Sequence, residues 1–219
     1  MQTIRNKSCA LLAAAVGLAM LAPASVNAAL VQVTYDYAVE YSGATPPAGA
    51  QPWLRATFDD EGSAGSVKMK LETLNLVGTE FVRTWAFNLD PALDVTQLSF
   101  SAPTKVGSFT DPSVSLVSNG VNVAGGANMD IGLSFAAGGG ASARFTAGDA
   151  VEYTITGIPT LTANSFNFLS SGNAALLTAA HVQGIGPTGD DSGWVTVPEP
   201  AAGLSALIAL PALLRRRRG

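Results

Sequence analysis

An all-β sandwich of jelly-roll type is the fold class this sequence predicts, and three observations predict it. Apolar residues recur at every second position in segment after segment. Turn-forming residues separate these segments at short intervals, and no long stretch carries the 3.6-residue period of a helix.

The first segment sets the pattern. Val31, Val33, Tyr35, Tyr37, Val39 and Tyr41 alternate with Gln32, Thr34, Asp36 and Glu40, which is the two-residue period of a half-buried strand. The same alternation sets Val67, Met69 and Leu71 against Lys68, Lys70 and Glu72, and Phe81, Trp85 and Phe87 against Thr84 and Asn88. It returns at Met129, Ile131, Leu133 and Phe135 and at Val151, Tyr153 and Ile155, while shorter apolar pieces occupy residues 53–58, 95–100, 114–117, 121–123, 166–169 and 194–197. Between them lie Pro46 and Pro47, residues 59–65, Asp90-Pro91, Asp111-Pro112, Gly125-Gly126, residues 138–140 and Gly148-Asp149. Asn119-Gly120, placed between two Val-rich runs, predicts a β-hairpin, because both residues tolerate the positive φ of a tight turn. The count comes to about ten short strands. Residues 174–180 have good helix formers and read either as a helix or as a strand flank; residues 136–143, rich in Gly and Ala, read as a loop or edge. No internal repeat is visible, and the β pattern stops near Val197.

Segments at both ends stand outside that pattern. Arg5 and Lys7 precede an uncharged apolar run of about 13 residues, 9–21, and a stretch of small polar residues ending at Ala28. The run falls short of the ~20 residues a spanning helix needs. Val26 and Ala28 flank Asn27 in the small-x-small manner a signal peptidase accepts, so residues 1–28 are expected to be a secretory signal helix, cut between Ala28 and Ala29. Residues 29–196 then form the extracellular body and residues 197–219 a separate tail.

Charge and cysteine content narrow the function. Of twelve basic residues, six lie in the end segments; the other six face fifteen of the sixteen acids, Glu199 lying in the tail, a net charge of −9 for the body. Nucleic-acid phosphate requires clustered cations, so nucleic-acid binding is excluded. The one cysteine, Cys9, falls in the signal segment. An exported body without thiols cannot use disulfides and must be held by apolar burial, which about 170 residues can supply by hiding roughly 70% of the unfolded surface.

The tail carries the sharpest signal. It reads VPEPAAGLSALIALPALLRRRRG: Pro198, Glu199 and Pro200, an apolar run of 14 residues at 201–214, then Arg215, Arg216, Arg217 and Arg218. Two prolines keep the chain extended, as a protease groove requires. The apolar run predicts a short transmembrane helix, and each arginine contributes about 1 kcal/mol at an anionic cytoplasmic surface, which stops transfer. So short a run, interrupted by Gly203, Ser205 and Pro211, suits a temporary hold better than a permanent anchor.

Through Val197-Pro198-Glu199-Pro200, the apolar run and the arginine block, the chain resembles the PEP-CTERM family of exported bacterial proteins. The resemblance implies export through the Sec translocon and signal peptidase, then recognition by an exosortase. That membrane cysteine protease processes such tails and is associated with exopolysaccharide and biofilm production in Gram-negative bacteria. Pro198, Glu199 and Pro200 would be substrate residues, the inner membrane a transient station, and the cell surface or matrix the destination. Glu80-Phe81-Val82 with Trp85 and Phe87-Asn88-Leu89, and residues 179–183 followed by Ser192-Gly193-Trp194, are similar to one group within that family, from which no activity carries over.

Catalytic chemistry is sparse. His181 is the only histidine; a triad with Ser192 and Asp190 or Asp191 lacks the glycine pattern of a nucleophile elbow, so the chain is read as non-enzymatic. One histidine and a thiol-free body leave no zinc or copper set. Asp59, Asp60 and Glu61, Asp90 with Asp94, and Asp190 with Asp191 offer oxygen ligands for a structural calcium without the spacing of a defined calcium loop, and no cofactor is expected. Trp85 belongs in the core; Trp53 and Trp194, flanked by proline or glycine, are the candidates for stacking on a polysaccharide. A calcium-assisted carbohydrate-binding module is therefore the alternative reading.

Overall fold

The computed structural model describes residues 31–198, so the signal segment with its Ala28/Ala29 cut, the run at 201–214 and Arg215, Arg216, Arg217 and Arg218 lie outside the described residues. Within them the chain is all-β. In order the strands are β1 (Gln32–Tyr37), β2 (Val39–Glu40), β3 (Leu54–Asp59), β4 (Val67–Thr73), β5 (Phe81–Phe87), β6 (Ser99–Phe100) and β7 (Thr104–Val106). There follow β8 (Ser113–Asn122), β9 (Ala127–Ser134), β10 (Phe145–Thr146), β11 (Ala150–Thr156), β12 (Ser171–Gly172), β13 (Thr178–Ile185) and β14 (Asp191–Thr196). Three short 3-10 turns are the only helical pieces among the described residues, at Val95–Gln97, Ala124–Gly126 and Ala163–Phe166.

The strands form two antiparallel sheets. One runs β1-β3-β4-β11-β6 with β7 also on β11; the other runs β12-β9-β5-β13-β14-β2, with β10 beside β5 and β8 beside β9. A single residue carries the chain from the first to the second. β1 pairs with β3, and after Ala38, whose N–H donates to Thr196 O at 3.1 Å, β2 pairs with β14.

Alternation decides what goes inside. Val67, Met69 and Leu71 are fully buried while Lys68, Lys70 and Glu72 between them face outward, as a pleat with one wet face demands. The two inner faces meet in one core of buried aromatics: Phe58 of the first sheet packs edge-on to Phe87 of the second at 5.2 Å and stacks on Phe166 at 4.3 Å. Tyr37 stands edge-on to Trp85 at 5.0 Å. Its hydroxyl bridges the layers, donating to Thr178 Oγ1 at 2.5 Å, while Thr178 donates on to Ala86 O at 2.8 Å. This relay satisfies two buried hydroxyls inside an apolar core, where an unpaired one is costly.

Several sequence expectations are corrected. Asn119-Gly120 does not make a hairpin. Both Val-rich runs belong to β8 and pair with the same neighbour, Ser113 to Leu116 with Ser134 to Ile131 and Val121 with Met129, so residues 117–120 bulge out opposite Asp130. Asn119 keeps its positive φ of 53°, and its N–H donates to the Asp130 carboxylate at 2.8 Å. Of the two readings of residues 174–180 the strand flank is the one found: no helix forms, and β13 begins at Thr178 because its alternate residues continue the core. Residues 95–100 divide into a 3-10 turn capped by Asp94 and the short β6.

Tyr37→Phe, which keeps the ring but removes the relay, is expected to lose about 1 kcal/mol. Tyr37→Ala, which also opens a cavity, is expected to lose roughly 3–5 kcal/mol. Denaturant unfolding of the two variants checks both values.

Candidate functional site

Three places on the body carry the functional candidates. The first is the outer face of β13 and β14. Ala180 and Val182 point into the core, so His181 between them points out, and its register partner across the strands is Trp194. The two rings lie parallel, 4.8 Å apart at 12°. β5 contains an extra residue opposite the step from His181 to Val182, and this bulge leaves both Arg83 and Thr84 only half-buried beside the imidazole. The guanidinium of Arg83 donates to Phe135 O. Burial first, and then the charge of Arg83, hold the His181 pKa below its ordinary value. No hydrogen bond among the described residues joins His181 to a serine or a carboxylate; Ser192 sits across from Gln183, and Asp191 accepts from Thr45 Oγ1 at 3.1 Å.

Trp194 is half-buried: one ring face lies on His181, and the rest of the ring packs with Tyr41 and Leu176 against a small second core of Ala86, Ala127, Met129 and Ala179. Trp53 is corrected outright. It is 3% exposed, part of the main core, with its indole N–H donating to Gly49 O at 2.8 Å, so no sugar can reach it.

The second place is a groove of about 620 Å³ whose walls include Asn88, Asp90, Asp94, Asn119, Asp130 and Phe168. Its carboxylates are engaged by backbone N–H groups, those of Asp90 and Asp94 within their own loops and that of Asp130 across two other segments. Asp130 accepts from Leu89 N at 2.9 Å and Asn119 N at 2.8 Å, Asp94 from Thr96 N at 3.0 Å, and Asp90 from Ala92 N at 2.9 Å. The Thr96 hydroxyl and then its N–H hold Asp94 below the usual carboxylate range. Asp130 was absent from the sequence reading, although its isolation was visible: it is the only charged residue between Asp111 and Arg144.

The loop of Asp59, Asp60 and Glu61 is likewise occupied by protein donors. Glu61 pairs with Lys68 at 2.7 Å, and Asp59 accepts from Glu61 N at 2.8 Å. Asp60, 4% exposed, accepts from Val31 N at 3.2 Å, Gly62 N at 3.0 Å and Ala163 N at 3.2 Å, pinning three segments. Burial alone would raise its pKa; the N–H groups of Gly62, Val31 and Ala163 together outweigh that and lower it. Among the described residues no three His, Cys, Asp or Glu side chains converge as ligands for a metal.

The third place is where the chain leaves the fold. Thr196 Oγ1 donates to Thr178 O at 2.6 Å, Val197 is buried in the core, and Pro198 is exposed. Pro198 lines an open groove with Val33, Tyr35 and Asn167 beside the edge strand β1. It is the one described member of the Pro198, Glu199, Pro200 cluster. Next to it lies a smaller groove of about 240 Å³ lined by Val39, Tyr41, Leu169, Leu176, Leu177 and Val197.

Comparison of the chain with family models, with curated proteins and with solved structures finds no match.

Two outcomes follow from these geometries. The unfolded chain protonates His181 near the ordinary value of about 6.5, whereas the folded chain resists until lower pH. The site's contribution is therefore complete above that value and declines as pH falls below it. A His181→Phe variant, which keeps the stack on Trp194, is expected to show a smaller loss of stability between neutral and mildly acidic pH, read by thermal melts in matched buffers. Asp60→Ala is expected to lose roughly 2–4 kcal/mol near neutrality by orphaning three N–H groups. That difference should shrink as acid protonates Asp60 in the unmodified chain, in a window below its unfolded pKa of about 3.9.

Proposed function

We propose that this chain is an exported, non-catalytic surface or extracellular-matrix protein of a Gram-negative bacterium, sorted and processed at its tail by an exosortase. Residues 1–28 take it through the Sec translocon and are removed by signal peptidase. The tail holds it briefly at the inner membrane, and the released body joins the cell surface or the exopolysaccharide matrix. One observation supports this reading above the others: the fold is complete at Thr196. β14 closes against β13 and β2, Val197 plugs the core, and the next residue, Pro198, is already at the surface. A protease could therefore take Pro198, Glu199 and Pro200 without unfolding the body, and removing the tail costs the described sheets no strand. We further read the winding as jelly-roll-like, because the chain changes sheets after β1, β2, β4, β5, β7, β10 and β11.

A second reading, a carbohydrate-binding module, is favoured by the groove in which the half-buried ring of Phe168 lies near the amide and carboxylate groups of Asn119, Asp90 and Asp94. Phe168→Ala would then abolish retention of the protein on an affinity gel of exopolysaccharide, tested with and without calcium.

For the sorting reading, mass spectrometry of the protein from cells with and without the sorting protease is the test. Cells lacking it should retain residues 197–219 on the protein, and Pro198→Ala with Pro200→Ala should do the same in normal cells. An identical C-terminus in both strains would remove the assignment.

A further inference from the structure

The body carries fifteen acidic residues within its described span, yet the small groove beside the C-terminal exit has none in its lining. Val39, Leu169, Leu177 and Val197 make up its apolar wall. Leu169 is 61% exposed and Val39 38%, so the apolar character continues over the rim onto open surface. Tyr41 adds a half-buried ring whose hydroxyl is turned away from solvent. Two carboxylates on the flanking strands are engaged in local bonds: Asp36 with Arg55 at 2.6 Å, and Glu40 with Ser42 N at 2.7 Å and Gly43 N at 3.1 Å.

Position gives this strip its meaning. Val197 is part of it, Pro198 follows, and the apolar run starts at Ala201. The four steps from Val197 to Ala201 reach at most about 14 Å even when fully extended, and two of the three intervening positions, 198 and 200, are prolines that stiffen the link. Whatever takes up the run at 201–214 must therefore lie within that distance of the groove.

We propose that the uncharged strip of Val39, Leu169, Leu177 and Val197 is a membrane-contact face, seated on the lipid interface beside the point where the tail enters. This rests on the reading of residues 201–214 as a membrane-held segment. The strip is too small to bind a bilayer alone, and the body's net negative charge opposes free adsorption to anionic lipid. A short tether changes that balance by holding the strip at a high effective concentration next to the surface. Once the tail is cut the tether is gone, the weak contact dissolves, and the same step that severs the chain releases the face. The contact also sets the body's orientation: Pro198 is brought to the interface, where a membrane protease works, while β7 at the opposite edge of the first sheet points away.

The test uses the chain beginning at Ala29, which has no thiol of its own, with a single cysteine introduced as Leu169→Cys or, for comparison, Val106→Cys on β7, itself 62% exposed. Each is labelled with an environment-sensitive dye and mixed with phosphatidylcholine–phosphatidylglycerol vesicles that carry brominated acyl chains. Several-fold stronger quenching at position 169 than at 106, abolished by Leu207→Lys with Leu210→Lys in the tail, is the expected result. If the chain floats with the vesicles but the two positions quench alike, the contact face is overturned while the membrane-held tail stands. Failure of the chain to float at all would overturn the tail reading, and the face with it. A dye shift at 169 without vesicles, removed by the tail lysines, would mean the tail itself fills the groove. A vesicle-free shift that grows with protein concentration would mean a second copy fills it. Either of these also overturns the proposal.

Discussion

The junction at Ala38 is the constraint on which the architecture depends. One residue separates the last of β1, in the first sheet, from the first of β2, in the second, so the two layers cannot slide without breaking the chain's own continuity. Tyr37, immediately before that junction, locks the same corner from inside by reaching across to Thr178. Thr196 closes it from the other strand, accepting from Ala38 N and donating to Thr178 O. A body with no cysteine beyond Cys9 has no covalent substitute for such a clasp. Its stability must come from the aromatic layer packed around this corner, where Tyr37, Trp85, Phe87 and Phe58 touch in sequence.

Much of this was legible in the residues. Where a strand has one face wet, period two appears in the sequence and gives both the element and its orientation. β4 and β11 follow the alternation expected of them, and Trp85 is buried as its company of Phe81 and Phe87 implied; β1 follows it only to Tyr37, because the run expected to continue through Val39 and Tyr41 changes sheets at Ala38 and leaves Val39 exposed. Two-residue strands such as β2, β10 and β12 have no period to detect; they exist because a neighbour presents a free edge. Local chemistry also misled where tertiary pairing overrode it. Asn119-Gly120 has the residues of a tight turn, but a turn signal says nothing about which strand the flanking runs will pair with, and here both chose β9. Trp53 follows Pro52 and looked like a rim residue, yet the segment folds its indole back onto Gly49 O. The role of Arg83 depends on a bulge that only the pairing of β5 with β13 creates.

Functional legibility was divided differently. The proposed sorting reading rests on a tail whose signal is one of composition and order, and a reader of sequence meets it directly. The body's surface has to be read in space. The histidine–tryptophan stack, the groove near Asp130 and the apolar strip beside Pro198 each gather residues from distant parts of the chain: Val39 and Leu177 are far apart in sequence and share one wall. Pro198 and the strip are neighbours because β14 ends where β2 begins, so the geometry of the second sheet decides what the exit faces.

The bulge in β8 has a further consequence for how one molecule meets another. From Pro112 to Met129 the sequence has no charge, and β8 lies exposed on the rim of its sheet. A straight, neutral rim of this kind would template the stacking of one molecule on the next. The four residues pushed out opposite Asp130 interrupt it after Leu116, leaving too short a run for another chain to follow. A single buttressed kink thus works against the joining of two molecules through this border.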